Sequence, residues 1–248
     1  MITGRRLGPV PLRATGLVAA LVFASSHSAA GQQEQIDSPY RWIERGFRVG
    51  VYGGYVAANR GKLDFGPGSA ATIGARLRTR VSSPLSLEIG LAAGSANRHV
   101  IDPRLVTGPA PVETVASDWA MIEAALQMAL TGARTWHGVQ PYLIFGTGLL
   151  IGVNQGESQT FADSTLSDFR YRLGTAPMFQ AGFGAETFLS ERLGLGVELR
   201  DKFTRLKPPS GFFRTEVLQI IQDLGVEAPQ NTEWTNNFEF SVALWYYF

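Results

Sequence analysis

Ser95, His99 and Asp102 fall within one short stretch, and these three residue types can supply a hydroxyl nucleophile, its base and an orienting acid. Such chemistry needs the serine oxygen and the imidazole within hydrogen-bond reach, which closeness in sequence does not provide. The other chemically able residues are charges at every second position. Arg76, Arg78 and Arg80 form one row, and Glu88, Glu123, Glu186, Glu198, Arg200, Lys202 and Glu239 recur further on in the same alternating way. A row of arginines on one strand face can pair with carboxylates across a turn, or act as a selectivity ladder for anions in a pore. Cysteine is absent, and His99 and His137 are the histidines beyond residue 30. There is no dinucleotide loop, phosphate loop or acidic calcium loop either, so neither a metal nor a cofactor is expected.

The elements that would hold these charges follow an export signal. Arg5, Arg6 and Arg13 precede an apolar run from Ala14 to Ala24, and Ser28, Ala29 and Ala30 follow it, a pattern suited to cleavage before Gly31. Residues 1–30 are therefore expected to be a signal peptide, with a twin-arginine signal the weaker reading because Arg5-Arg6 lacks the usual flanks. Without the three arginines of this segment the chain has 19 basic and 21 acidic residues, a formal net charge of −2. That balance gives no electrostatic footprint for nucleic acid. No later apolar run reaches the ~18 residues of a spanning helix, so a mature chain that crosses a membrane must cross it with strands.

Period-two alternation supplies those strands. From Leu85 to Ala93 every second residue is apolar, while Ser86, Glu88, Gly90 and Ala92 intervene. The same pattern recurs over Phe47 to Ala57, Ala71 to Val81, Trp119 to Leu130, Pro141 to Val153, Phe179 to Leu189, Leu193 to Phe203 and Asn237 to Phe248. Eight segments result, each near the ~9–11 residues of a tilted membrane strand. Their connections alternate: Ser82-Ser83-Pro84, Ser190-Glu191-Arg192 and a moderate link from Thr131 to Gly138 separate long ones at Asn59 to Ser69, Asn97 to Ser117, Asn154 to Ala176 and Thr204 to Asn236. Short turns on one side and long loops on the other are the habit of outer-membrane barrels. A soluble lipocalin-like barrel would alternate too, but with its oily face inward. The ten charges named above would then sit in a dry apolar core at great cost, whereas facing a polar lumen they can pair.

The last strand, Phe238 to Phe248, puts Phe238, Phe240, Val242, Leu244, Tyr246 and Phe248 on one face, and it resembles the terminal strand of outer-membrane barrels. By strand and loop pattern, residues 47–248 resemble small outer-membrane β-barrels of the outer-membrane protein A and X type. The resemblance implies an all-β fold: a closed antiparallel up-and-down transmembrane barrel of about eight strands, with long extracellular loops. It implies that Phe248, with Tyr246 and Leu244, forms the signal read by the barrel-assembly machinery. It also makes outer-membrane lipid a partner, and an extracellular ligand or protein a partner through the loops. The role it suggests is structural or surface-recognising, with a lumen closed by the charged network and no catalytic motif. The alternatives are a lipid A-modifying barrel enzyme, by acyl transfer or deacylation, and a narrow pore. Against the enzyme, lipid A deacylases carry a His-x-Ser element, whereas Val100 and Ile101 follow His99 here.

Four local expectations complete the reading. The tight turn at Ser82 to Pro84 should set Arg78 opposite Glu88. In the longest loop Val217, Ile220, Ile221 and Leu224 recur at helical spacing between Thr215 and Gly225 as caps, a stripe to be covered by the barrel mouth, or else by lipid or a partner. Phe47, Tyr142, Phe188, Tyr246 and Phe248 at one end, with Tyr55, Phe179 and Phe238 at the other, are expected as interface girdles. Residues 31–46 form an N-terminal periplasmic segment that either plugs the barrel or lies at its rim.

Overall fold

Alternation becomes a barrel when each strand finds a partner on both edges. The computed structural model describes residues 40–43, 46–101, 111–156, 168–223, 225 and 227–248. Eight long strands carry the fold: β2 (Phe47–Ala57), β3 (Ala70–Arg80), β4 (Leu85–Gly94), β6 (Pro111–Ala129), β8 (Val139–Gln155), β9 (Thr175–Phe188), β10 (Leu193–Leu206) and β11 (Glu233–Tyr247). Three short ones are β1 (Tyr40–Trp42), β5 (Asn97–Ile101) and β7 (Arg134–Trp136). The long strands pair antiparallel in the order β8-β9-β10-β11-β2-β3-β4-β6, and β6 pairs back to β8. The β11–β2 seam runs from Phe238 opposite Ala57 to Tyr247 opposite Arg48. Closure gives each of these strands a hydrogen-bonded neighbour on both edges, which is the condition for crossing hydrocarbon.

Side-chain direction shows which solvent the barrel was built for. Ile73 is 72 % exposed, Val51 59 % and Phe183 59 %, while Arg78, Arg200, Glu186 and Glu239 are 0 % exposed. Oil outside and charge inside is the inverse of a soluble barrel, and it answers the lipocalin alternative directly.

The short and long connections fall at opposite ends, as expected, but the strands outrun the alternation. β6 begins at Pro111, β9 at Thr175 and β11 at Glu233, and β10 runs to Leu206. Part of the expected loop from Asn97 to Ser117 is thus sheet, with β5 pairing β6 from Asn97 opposite Ala116 to Ile101 opposite Pro111. The physical reason lies on the outer face, where Thr114, Ala116 and Asp118 replace the oily residues. The ladder continues where the apolar signal stops.

The N-terminal segment resolves in part. β1 pairs β7, with Tyr40 opposite Trp136 and Trp42 opposite Arg134, and the Ile43 amide donates to the Ala133 carbonyl at 2.9 Å. Residues 40–43 therefore add to the β6–β8 connection at the short-turn end. The signal peptide expected over residues 1–30, and residues 31–39, 44 and 45, lie outside the described residues.

Large inward rings need room in a narrow barrel, and glycines on neighbouring strands supply it. A Cβ on Gly50 would stand 2.6 Å from the Trp245 ring, and one on Gly74 would stand 2.4 Å from Tyr52. These close approaches leave the middle of the lumen to the charged side chains.

Candidate functional site

The inward residues of β2, β3, β4, β6, β9, β10 and β11 meet in one layer. Arg48, Arg76, Arg78, Arg200 and Lys202 face Glu88, Glu123, Glu186, Glu198 and Glu239, five cations against five carboxylates, and all ten are buried. Glu198 is the hub. It accepts from Arg78 Nη2 at 3.0 Å, from Arg200 Nε at 2.9 Å and Nη2 at 2.6 Å, from the Tyr142 hydroxyl at 2.8 Å, and from Arg76 Nη1. Glu88 accepts from Arg78 Nε at 2.9 Å and from Arg200 Nη2 at 2.7 Å.

The remaining pairs extend this layer both ways along the axis. Toward the loops, Arg76 Nη2 donates to Glu239 at 3.2 Å, and Lys202 bridges Glu239 and Glu123. Toward the turns, Glu186 lies 3.6 Å from Arg78 and 3.3 Å from Arg48, and accepts from the Tyr247 hydroxyl. Arg76 also stacks 3.6 Å from the Tyr52 ring centre, and Arg78 4.2 Å from that of Trp245. Charges taken out of water are tolerable only when paired, and each of the ten has an opposite charge within 4.0 Å.

Nine of the ten charges singled out in the sequence belong to this layer. Arg80 shares their face but stands at the short-turn rim, half-buried, lining a cavity of about 10 Å³ with Arg48, Gln127 and Gln140. Arg78 is opposite Glu88 in the β3–β4 register, as the turn required. Because each of that pair also serves a third group, Arg78→Ala and Glu88→Ala are expected to cost more singly than half of the double variant. A double-mutant cycle by urea unfolding in detergent should read a coupling of about 1–3 kcal/mol. Additive costs would mean the pair is screened.

Alternation also puts Arg48 and Gln127 on the polar face, whereas sequence reasoning missed Tyr52, Gln180, Trp245 and Tyr247 as lumen residues and misplaced two girdle aromatics. Tyr142 is 1 % exposed and points at Glu198. Phe188 turns toward Tyr247, ring centres 5.4 Å apart. The usable signal was parity: Leu143 and Phe145 face out, so Tyr142 between the outward positions must face in, and Phe188 shares the face of Glu186. Phe47, Tyr55, Phe179, Phe238, Leu244, Tyr246 and Phe248 do lie on the exposed outer face.

Above the charges the lumen narrows to a cavity of about 30 Å³ lined by Trp119, Met121, Met178, Lys202, Thr204 and Asn237, room for about one water. The loops then close over it with an apolar layer. Phe65 packs 4.9 Å from Tyr171, and Phe212 lies 5.6 Å from Phe169. Helix α1 (Thr215–Asp223) adds Val217 and Ile221 to this cluster, each 2 % exposed. Ile220 is half-buried, and Leu224 lies outside the described residues. The helical stripe is therefore covered by the barrel's own loops. Gly225 follows the helix at φ 70°, and Thr215 is its first residue.

The serine and histidine do not come together. The Ser95 hydroxyl donates to Asp118 at 2.6 Å, whereas His99 contacts Asp64 and Arg60. Asp102 lies outside the described residues. Closeness along the chain thus does not make Ser95 and His99 partners in space.

An eight-stranded closed sheet with lipid-facing oil, a packed charged lumen and long loops at one end defines an outer-membrane β-barrel. The outer membrane protein beta-barrel domain family matches residues 15–248, and the chain belongs to that family. No curated protein matches its sequence. Among solved structures, it is similar to Neisserial surface protein A, at 13 % identity and a TM-score of 0.50, with 82 % of this chain and 97 % of that one covered. It is similar to OprG from Pseudomonas aeruginosa at 15 % identity and a TM-score of 0.50, covering 86 % of this chain and 99 % of that one. Identities this low establish the fold alone.

Proposed function

We propose that this outer-membrane barrel is a closed structural scaffold that presents its loop end to the cell exterior for surface recognition, and that it is neither a conduit nor a lipid A-modifying enzyme. The observation that carries this reading is the lumen itself. Ten paired charges fill its middle and an apolar lid caps it, so ions meet a neutral plug where a pore would need a wet path. Separation of Ser95 from His99 removes the one nucleophile and base that the sequence offered.

In this reading the short turns face the periplasm and residues 31–46 lie on that side, after a signal peptide of residues 1–30. The assembly machinery reads Phe248, with Tyr246 and Leu244 on the same lipid-facing side. The face available to a partner is what α1 leaves outward, together with the exposed segment around Gln230 and Asn231.

Surface labelling tests the orientation. An epitope inserted between Gln230 and Asn231 should be stained on intact cells, and one inserted between Glu191 and Arg192 should be stained only after the outer membrane is breached. The opposite pattern would overturn the proposal. Purified protein should also release or transfer no acyl chain from lipid A.

A further inference from the structure

The outward residues of β10 run Leu193, Leu195, Val197, Leu199, Asp201, Phe203 and Arg205, so one carboxylate interrupts the lipid-facing oil. Its height is fixed by register. Leu193 is opposite Tyr246 of the short-turn girdle, and Asp201 stands eight residues on, about 26 Å along a strand and about 20 Å along the membrane normal at the usual tilt. The apolar band of an outer-membrane barrel is about 25 Å tall, which puts Asp201 inside it on the loop side. Its Oδ2 accepts from the Asn236 side chain at 3.2 Å. Its Oδ1 is covered and has no hydrogen-bond partner, and no described cation pairs with the carboxylate. Arg205 is four residues further up the same line, about 13 Å away. A carboxylate turned to hydrocarbon in this state is costly until a cation meets it.

The neighbours of Asp201 are aromatic. Phe238 of β11 and Ala181 of β9 are directly opposite it. Ala181 is in turn opposite Phe145 of β8, and Phe179 and Phe183 stand two residues to either side of it on β9. These four rings are each more than half exposed, and the short alanine among them leaves a recess beside the carboxylate. Aromatic rings and a carboxylate together are the chemistry that recognises an ammonium group. We propose that this recess holds the primary ammonium of a membrane lipid headgroup, with Asp201 and the Asn236 carbonyl accepting its N–H donors. A second copy of the chain does not fit. Copies inserted the same way up meet at equal heights, and no described outward side chain at the height of Asp201 is cationic. Lipid, by contrast, surrounds this wall in excess. That the lipid belongs to the outer leaflet rests on the reading that the loop end faces outward, which surface labelling decides independently of lipid binding.

The test uses the full folded chain in detergent micelles, offered phosphatidylethanolamine or its N-acetylated form, with retained lipid counted by native mass spectrometry. Wild-type protein should retain phosphatidylethanolamine about tenfold better than the Asp201→Asn variant does, the order expected from losing one hydrogen bond to a charged group. Both proteins should retain the N-acetylated lipid equally weakly. Phe183→Leu, which keeps an apolar side chain, should lose about threefold and provides a reading if Asp201→Asn folds poorly. Equal retention of the two lipids by the wild type, or undiminished retention by the variants, overturns the proposal. Displacement of the lipid by equimolar ethanolamine would show a free-amine site and overturn the lipid assignment. In cells, a photo-crosslinking residue at position 183 should attach to lipid, and attachment to a membrane protein in its place would overturn that assignment too.

Discussion

Glu198→Ala should destabilise the barrel by about 3–5 kcal/mol, read as a shift in the urea midpoint of the detergent-folded protein at unchanged slope. The size follows from what the substitution leaves behind. Three guanidinium groups, Arg76, Arg78 and Arg200, and the Tyr142 hydroxyl all donate to this one carboxylate. Removing it leaves a net excess of positive charge in a layer where these side chains are 0 % exposed. The fully apolar replacement of Glu198 and Arg200 together should cost less than Glu198→Ala alone, since it removes an acid and a base and keeps the layer neutral. A loss below about 1 kcal/mol for Glu198→Ala would mean that water reaches and screens the layer.

Phe212→Ala should open the loop end without opening the barrel. Phe212 is 1 % exposed among Phe65, Phe169, Val217 and Ile221, and truncating a buried phenylalanine costs about 3–5 kcal/mol. Because the loops pack on one another above the membrane, that cost should appear as local opening. Amide exchange over Phe169 to Leu173 should accelerate by about a hundredfold to a thousandfold or more, while the unboiled protein still migrates as a compact barrel on a gel. The same logic applies to replacing residues 208–232 with a short glycine-serine turn: the barrel persists, and the uncovered apolar cluster binds a hydrophobic dye. Unchanged exchange at Phe169 to Leu173 would show that the helix and its loop are passengers.

Much of this arrangement is legible in the sequence, and where legibility ends has a physical cause. Parity along a strand is a local property, so it placed Arg76, Arg78, Glu88 and Glu198 on one face. The same rule puts Tyr142 in the lumen and not in a girdle. A three-residue turn likewise fixes Arg78 against Glu88. Which carboxylate Arg76 meets is another matter. Glu198 lies 122 residues away, on β10, and what brings it to β3 is the closure and stagger of the barrel, a global quantity set by all the strands together.

The extensions past the membrane escaped for a different reason. Beyond the interface both faces of β6 become mixed, so Pro111 to Asp118 carries no oily stripe although its backbone still pairs with β5. For α1 the helical stripe was readable, but whether loops, lipid or a partner cover it depends on Phe65, Phe169 and Tyr171 from two other loops. Position in the chain gives no hint of that meeting. The pairing of Ser95 with Asp118 and of His99 with Asp64 is of the same kind.

The closed lumen is the claim on which the functional reading turns, and current through a planar bilayer tests it most directly. Purified, folded protein should insert without producing ion-conducting steps, and the variant lacking residues 208–232 should be equally silent because the charged layer below the lid remains intact. Reproducible ohmic steps from the wild-type protein would contradict the account and return the arginine row to the reading of a selectivity ladder.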